Sequence, residues 1–449
     1  MQVSRSIGWA LVAVSVAAYV LRELVEQTCI QTIGVFPDSI VFLQTASQSF
    51  RIDHLFFPKP VVVPVIYRWL DGDLIAIAHC QQALSVVAWL LLGLAVCAVV
   101  ERRRTRIVAI MMTVGFVLAP TRVGWTTVIL SESINDSLLA LTVATALFLV
   151  AAWRRERSLL VWALGSVLAV ACIAWIGTRD TNAITAIVAA AVVLVLARVD
   201  RGIRHRRAVV ALCGVVLAAS ILSLWSMGRR PHQPTGLTLN SSWQPAGLAR
   251  GTFPMVNVLV YRILPRHRAV AFFEDRGMPR LPDVWQAGHE GRLLTDPTYV
   301  PLLTWLDDHG RSAYAAWLVR HPFEVGDELA RHIWDILASA DLRAYMPIGW
   351  MPVPRSGIAG LLHETTTNRL LLLLLVVLAP SALRRAWRSD LARVAFVLLV
   401  SGVIGAAASY VGDVYEVSRH CYGSGQQLVL GLWLAGCSFV EWVSGRPPH

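Results

Sequence analysis

TIGVFPDSIVFLQTA, residues Thr32 to Ala46, is the stretch from which the rest of the chain is best read. It follows the first long apolar run and places Asp38 beside Pro37 and Ser39, where the chain leaves that run. Ile40, Leu43, Ala46 or Ser47, and Phe50 recur at helical spacing. The pattern predicts a short amphipathic helix on a bilayer surface with Asp38 in its first turn. Proline followed by an acidic residue is also a common helix start: the first turn needs no proline N–H and favours negative charge. The stretch alone therefore leaves Asp38 as either a helix-start residue or a reactive carboxylate.

Working outward, composition settles the class. The chain has 449 residues, 56% hydrophobic and only 15% charged, too apolar for a soluble protein of this length. Its formal net charge is +11, yet the arginines fall in short runs between apolar segments, which is the pattern of cytoplasmic loops and not of a nucleic-acid surface. Lys59 is the single lysine. The bias of arginine over lysine, with abundant Ala and Val, fits a high-GC genome. The seven cysteines include no CxxC and no Cys/His cluster at metal spacing, so no metal ligand set is expected, although a divalent ion is not excluded. Cys80, Cys97, Cys172, Cys213 and Cys437 fall in or near apolar spans; Cys29 and Cys421 fall near one face and form a conceivable disulfide.

About ten spans are expected. Ser6–Val25 reads as a retained transmembrane helix, too long for a signal-peptide core. Then come Leu74–Val100, Ile107–Leu118, Ile134–Ala152, Leu159–Ile176, Ala183–Leu196, Ala208–Met227, Leu370–Ala379, Val394–Ser409 and Gln427–Val443. The basic clusters at 101–106, 154–157, 198–207 and 384–388 alternate with polar loops, which puts both termini in the cytoplasm of a multi-pass plasma (inner) membrane protein. The expected organisation is an N-terminal membrane module, 1–227, with an outer loop at 26–73. An extracytoplasmic, mostly helical domain follows at 228–368, with best helices near Val300–Arg320 and Pro322–Ala338, and C-terminal helices fill 369–449.

Ionisable residues cost about 2.5–3.5 kcal/mol at a span centre, so those near the membrane need a reason. Outside the basic clusters they are Arg22, Glu23 and Glu26, then Asp38, Asp53 and His54. Glu132 and Asp136 follow at i, i+4 spacing, then Arg179 and Asp180, and finally Asp413, Glu416, Arg419 and His420. All sit at outer helix ends. A transporter would place charges near the midplane; this arrangement instead builds a polar chamber at the outer face, suited to a substrate that is half lipid and half sugar. Each group also has a bland reading. Arg22 and Glu23 serve as interfacial anchors, Glu132 as a helix-start residue, Arg179 and Asp180 as a local pair, and Arg419 and His420 as lipid-headgroup ligands.

Four of these motifs together resemble those of the GT-C superfamily of membrane glycosyltransferases, which use polyprenyl-phosphate sugars and include actinobacterial arabinofuranosyltransferases and protein O-mannosyltransferases. Phe36–Leu43 is similar to the acidic motif of the family's first outer loop. Leu130–Leu138 is similar to its Ser-Glu-Ser helix start, Thr178–Asn182 to its Arg-Pro-Asn/Glu turn without the proline, and Glu416–His420 to its late Arg-His motif. The first-loop motif here has one acidic residue where many relatives carry two. The resemblance implies an all-α, GT-C-like bundle of about ten transmembrane helices with an outer-face helical domain. It implies Asp38 as general base, and Arg419, His420 and Arg179 as ligands of the donor phosphate. Asp53, His54, Glu132 and Glu416 would then contact substrate. No cofactor is implied; the partners are a polyprenyl-phosphate-linked sugar, a glycan, lipid or protein acceptor, and the bilayer. The rival expectations are a lipid-linked sugar flippase or other transporter, a polyprenyl-diphosphate ligase or polymerase of another fold, and a non-catalytic assembly protein. Trp243, Trp285 and Trp305 of the outer domain are candidates for stacking on sugar rings or for core packing.

Overall fold

The computed structural model describes residues 16–17, 33–48, 59–117, 124–199, 206–228, 248–249, 251–332, 389–412 and 417–444. Among them there are helices and turns, and one isolated parallel bridge between Gly34 and Val128. Seven helices are long and apolar enough to cross a membrane. In order the helices are α1 (Pro37–Ser47), α2 (Val62–Trp69), α3 (Leu74–Val99), α4 (Arg103–Val117), α5 (Ser131–Arg154), α6 (Ser158–Ile176), α7 (Asp180–Val199) and α8 (Arg206–Met227). A second group is α9 (Thr252–Val258), α10 (His267–Glu274), α11 (Val284–His289), α12 (Val300–Trp305), α13 (Arg311–Arg320) and α14 (Pro322–Arg331). Then come α15 (Asp390–Gly412), α16 (Val417–His420) and α17 (Tyr422–Ser444). The membrane-length helices are α3, α5, α6, α7, α8, α15 and α17. The expected spans at 6–25 and 370–379 lie outside the described residues. That at 107–118 is part of α4, which is shorter than the other seven.

The sequence of α1 explains its geometry. Pro37 occupies the first turn, where its missing N–H goes unnoticed, and the Phe36 N–H donates to Ser39 Oγ at 3.0 Å. The buried face is Ser39, Phe42, Thr45 and Ala46, while Ile40 is 48% exposed. Of the expected stripe, Ala46 is thus on the buried face and Ile40 is not. Phe42 packs edge-on against Tyr67 of α2 at 6.2 Å, and it is this contact that selects the face.

The two ends of the helical bundle differ. At one end Arg154 pairs with Asp390 at 2.8 Å and donates to the Val99 carbonyl at 2.9 Å. There too, Glu441 accepts from the N–H groups of Glu101 and Arg102 at 2.7 and 2.9 Å. Two of the arginine-rich clusters, 101–106 and 154–157, thus meet at one end, around the termini of α3, α5, α15 and α17. At the other end lie the starts of α5, α7 and α17 and the close of α6.

Helices α9 to α14 form a separate domain with its own core, in which Phe273, Leu306, Trp305 and Trp317 are buried. The expected helix at Val300–Arg320 is present but contains a π turn at Leu306–Gly310, and a second π turn follows α9 at Leu259–Ile263. The widened turn presents Asp307 to the loop before it, where its carboxylate accepts from the Ala249 N–H at 3.2 Å and from the Thr252 hydroxyl. Trp305 is core, Trp285 is 54% exposed, and Trp243 lies outside the described residues. Two arginines dock this domain on the bundle by the same device. Arg311 donates to the Met227 carbonyl at the end of α8 at 3.2 Å, and Arg262 reaches the end of α15. Both place a cation at a helix C-terminus, where exposed carbonyls and the helix dipole favour it.

Candidate functional site

Three local ties bring distant segments together at the domain-bearing end. First, Gly34 donates to the Thr127 carbonyl at 3.1 Å and accepts from the Ile129 N–H at 2.9 Å. That bridge fixes the start of α1 against the start of α5. Gln81 of α3 holds the same strap from below through the Thr126 and Val128 carbonyls, both at 3.1 Å. Second, the Tyr67 hydroxyl of α2 donates to the Leu130 carbonyl at 3.1 Å. Third, the Val62 N–H donates to the Gly177 carbonyl at 3.0 Å. Gly177 has to be glycine for packing reasons: a Cβ there would lie 2.7 Å from Val62 Cγ2.

These ties align five charged side chains in an alternating row. Lys59 Nζ meets Asp38 Oδ1 at 2.8 Å, and Asp38 Oδ2 meets Arg419 Nη2 at 2.6 Å. Arg419 Nε meets Glu132 Oε1 at 3.0 Å, and the same oxygen meets Arg179 Nη1 at 3.2 Å. A single guanidinium therefore bridges two carboxylates from different segments, a task that suits arginine's rigid fork and not lysine's point charge. Lys59 also lies 5.5 Å from the centre of the Phe42 ring, a cation–π contact that ties it to α1.

Burial is graded along the row. The Glu132 side chain is fully buried, Arg179 and Arg419 are 11% exposed, Lys59 is 25% exposed and Asp38 34%. An isolated carboxylate at Glu132's depth would be strongly disfavoured; two guanidinium groups make it tolerable. Among the described residues the row holds three cations and two carboxylates, and its accessible end is the Lys59–Asp38 pair. That end is where an anion would meet the site.

Electrostatics set the protonation states. Burial pushes the Asp38 carboxyl upward, but Lys59 and then Arg419 outweigh it and hold the carboxyl well below its usual range. His420 follows Arg419 on α16. Burial, reinforced by Arg179 and Arg419, holds its imidazole well below its usual value, so it is neutral at pH 7. Any phosphate contact His420 makes is that of a neutral ring and not of a cation.

Of the residues singled out from sequence, Asp38, Glu132, Arg179 and Arg419 converge, and His420 stands beside them. Arg179 turns to Glu132 instead of forming a closed local pair with Asp180. Asp53, His54 and Glu416 lie outside the described residues, as does Cys29. Cys421 is fully buried with its Sγ 3.7 Å from the Ala406 carbonyl. Among the described residues no group of three or more His, Cys, Asp or Glu side chains is placed to hold a metal ion. Sequence reasoning missed Lys59. Its signal was there in composition: one lysine in a chain whose forty cations are otherwise arginine.

Below the row the bundle is polar. Asn135 Oδ1 accepts from the Thr178 hydroxyl at 3.0 Å and from Asn182 Nδ2 at 2.6 Å, and Gln427 Nε2 donates to Ser401 Oγ at 2.6 Å. Such side-chain bonds hold apolar helices in register where no hydrophobic force does. Comparison with protein-family models, with curated proteins and with solved structures finds no match.

Proposed function

We propose that this chain is a membrane glycosyltransferase that takes a sugar from a polyprenyl-phosphate donor, with Asp38 as its general base. The observation that carries the reading is the accessible end of the charge row: one carboxylate held between two cations, Lys59 and Arg419. The cations fit the phosphate of the donor, since ammonium and guanidinium both form charge-assisted bonds to phosphate oxygens. The carboxylate fits the acceptor hydroxyl.

A carboxylate with two cationic partners is a weak base, so the two roles have to be linked. In the reading offered here the donor phosphate takes Lys59 and Arg419 as its own partners and thereby releases Asp38. The released carboxylate accepts the proton of an acceptor hydroxyl as that oxygen attacks the anomeric carbon. The anomeric C–O bond to phosphate breaks, and its electron pair leaves on the polyprenyl phosphate. That anion needs charge stabilisation and not a proton, which Lys59 and Arg419 supply. Glu132, buried and shared with Arg179, keeps the Arg419 fork from swinging away. The site faces the outer side of the plasma membrane, and the acceptor is a glycan, lipid or protein of the cell envelope.

Supporting an enzyme over a flippase, the acidic and basic side chains of α5, α7 and α17 lie in the first two turns or the last turn of each helix and none in its middle. The test is transfer by the purified protein in nanodiscs, using a radiolabelled polyprenyl-phosphate sugar. A new glycosidic bond with release of polyprenyl phosphate is the expected result. Movement of intact labelled lipid across the bilayer without a new bond would overturn the reading in favour of transport.

A further inference from the structure

The row of charges depends on Arg419, and Arg419 sits on a four-residue helix just beyond the outer end of α15. What holds that end is a buried junction with the outer domain. Arg262, in the π turn after α9, is 2% exposed. Its Nε pairs with Glu328 Oε2 at 3.1 Å. Its Nη1 donates to the Tyr314 hydroxyl oxygen at 2.5 Å and to the Val411 carbonyl at 3.2 Å, and its Nη2 donates to the Tyr410 carbonyl at 3.5 Å. The guanidinium also covers the Tyr410 ring at 4.7 Å. Tyr314 donates its hydroxyl to the Val411 carbonyl at 2.9 Å, and Arg266 pairs with the second oxygen of Glu328.

The junction extends past α15. Leu329, the residue after Glu328, packs against a buried cluster of Ala406, Tyr410, Cys421 and Leu428. Cys421 follows Arg419 by two positions. The His332 ring lies 5.5 Å from that of Tyr410. A continuous packed route therefore runs from Arg262 and Glu328 through Tyr410 to the segment that carries Arg419. An ion pair is a poor choice for stability alone, because apolar side chains of similar volume often serve as well or better in a buried position. What the buried guanidinium adds is a fixed register, since its hydrogen bonds to the Tyr314 hydroxyl and the Val411 carbonyl are made in one geometry.

We infer that Arg262, held by Glu328 and Tyr314, is a positioning residue: it fixes the outer end of α15 and so sets Arg419 between Asp38 and Glu132. The outer domain is thereby part of the phosphate site without touching it. The inference rests on the charge row being the working site, and not on which sugar or acceptor is used.

Lys59, the only lysine, supplies the reporter. Reductive methylation of the full-length protein with 13C-formaldehyde keeps its charge and gives one lysine signal, which reads the pairing of Asp38 directly. Arg419→Ala defines the signal of a row that has lost its bridge. Tyr314→Phe and Arg262→Lys are expected to shift the Lys59 signal in that same direction. They should also weaken binding of geranylgeranyl phosphate by about fivefold or more, the low end of coupling between linked sites. Asp296→Ala, which removes an exposed cap from the same domain, should move neither readout even where it lowers Tm. Lys59 signals and phosphate affinities at wild-type values in both Tyr314→Phe and Arg262→Lys would overturn the inference. If the wild-type protein itself binds no prenyl phosphate, the glycosyltransferase reading fails while the Lys59 signal still decides the positioning role.

Discussion

Replacing Asp38 by Asn separates what this carboxylate does for the fold from what it does for chemistry. In structural terms the change removes charge from two short contacts, 2.8 Å to Lys59 and 2.6 Å to Arg419. Hydrogen bonds to charged groups contribute about 1.5–3 kcal/mol when protected, but Asp38 is 34% exposed and solvent screens it, so the discounted loss is about 1–2 kcal/mol. Arg419 keeps Glu132 as a partner and Lys59 can turn to water, so no fully buried charge is stranded. The variant should therefore fold. Catalysis should respond on another scale, since loss of a general base typically slows a reaction about a hundred- to ten-thousand-fold. The assay is transfer rate per folded molecule, with folded protein counted by size-exclusion and donor affinity measured alongside. Because Lys59 and Arg419 both remain, donor affinity should hold or improve as their competitor is removed. A variant with near-normal turnover per folded molecule would eliminate Asp38 as base, and with it the mechanism offered here.

Four further outcomes are expected. The low carboxyl pKa of free Asp38 and its release by phosphate predict two different acid limbs. kcat/KM, which reports the free enzyme, should hold until well below the usual aspartate value of about 3.9, whereas kcat, which reports the loaded enzyme, should begin to fall at higher pH; coincident limbs would argue against partner exchange. The same lowered pKa makes the Asp38 contribution to stability fully present above about pH 4 and lost as pH falls through the folded value, so the wild-type advantage over Asp38→Asn in Tm should vanish in strong acid. Glu132→Gln should be far more damaging to the fold than Asp38→Asn, by about 3–5 kcal/mol, because it leaves two largely buried guanidinium groups without their shared carboxylate; equal Tm values for the two variants would contradict the burial gradient. Gly177→Ala should push Val62 and the adjoining Lys59 segment away from Arg179, so transfer should fall with little change in the far-ultraviolet spectrum, and unchanged transfer would show that segment to be compliant.

Much of the bundle was legible because apolar runs and arginine clusters are local features. The starts of α5 and α7 and the ends of α6 and α8 fall within a few residues of the expected spans, since each is bounded by a charge the membrane core will not take. The convergence of Asp38 and Arg419 is another matter, because they stand 381 positions apart and nothing local says which arginine faces which acid. A shared resemblance in motif order suggested the grouping, but the pairing of Arg179 with Glu132 and not with Asp180 needed the packed helices. Periodicity gives α1 an apolar stripe through Ile40, Leu43 and Ala46 but says nothing of the burial of Ser39 and Thr45, whose hydroxyls are each satisfied by a local hydrogen bond. Lys59 was missed because a proline-flanked loop residue carries no periodic signal at all.

The order of the charge row has a consequence for how the protein comes into being. The N-terminal segment contains Lys59 with Asp38 and Arg179 with Glu132, two pairs that neutralise each other. Arg419, the bridge between them, is synthesised after all four. Until Arg419 is made, these two pairs stand formally neutral and unbridged. The bridge can form only once the chain has reached α16.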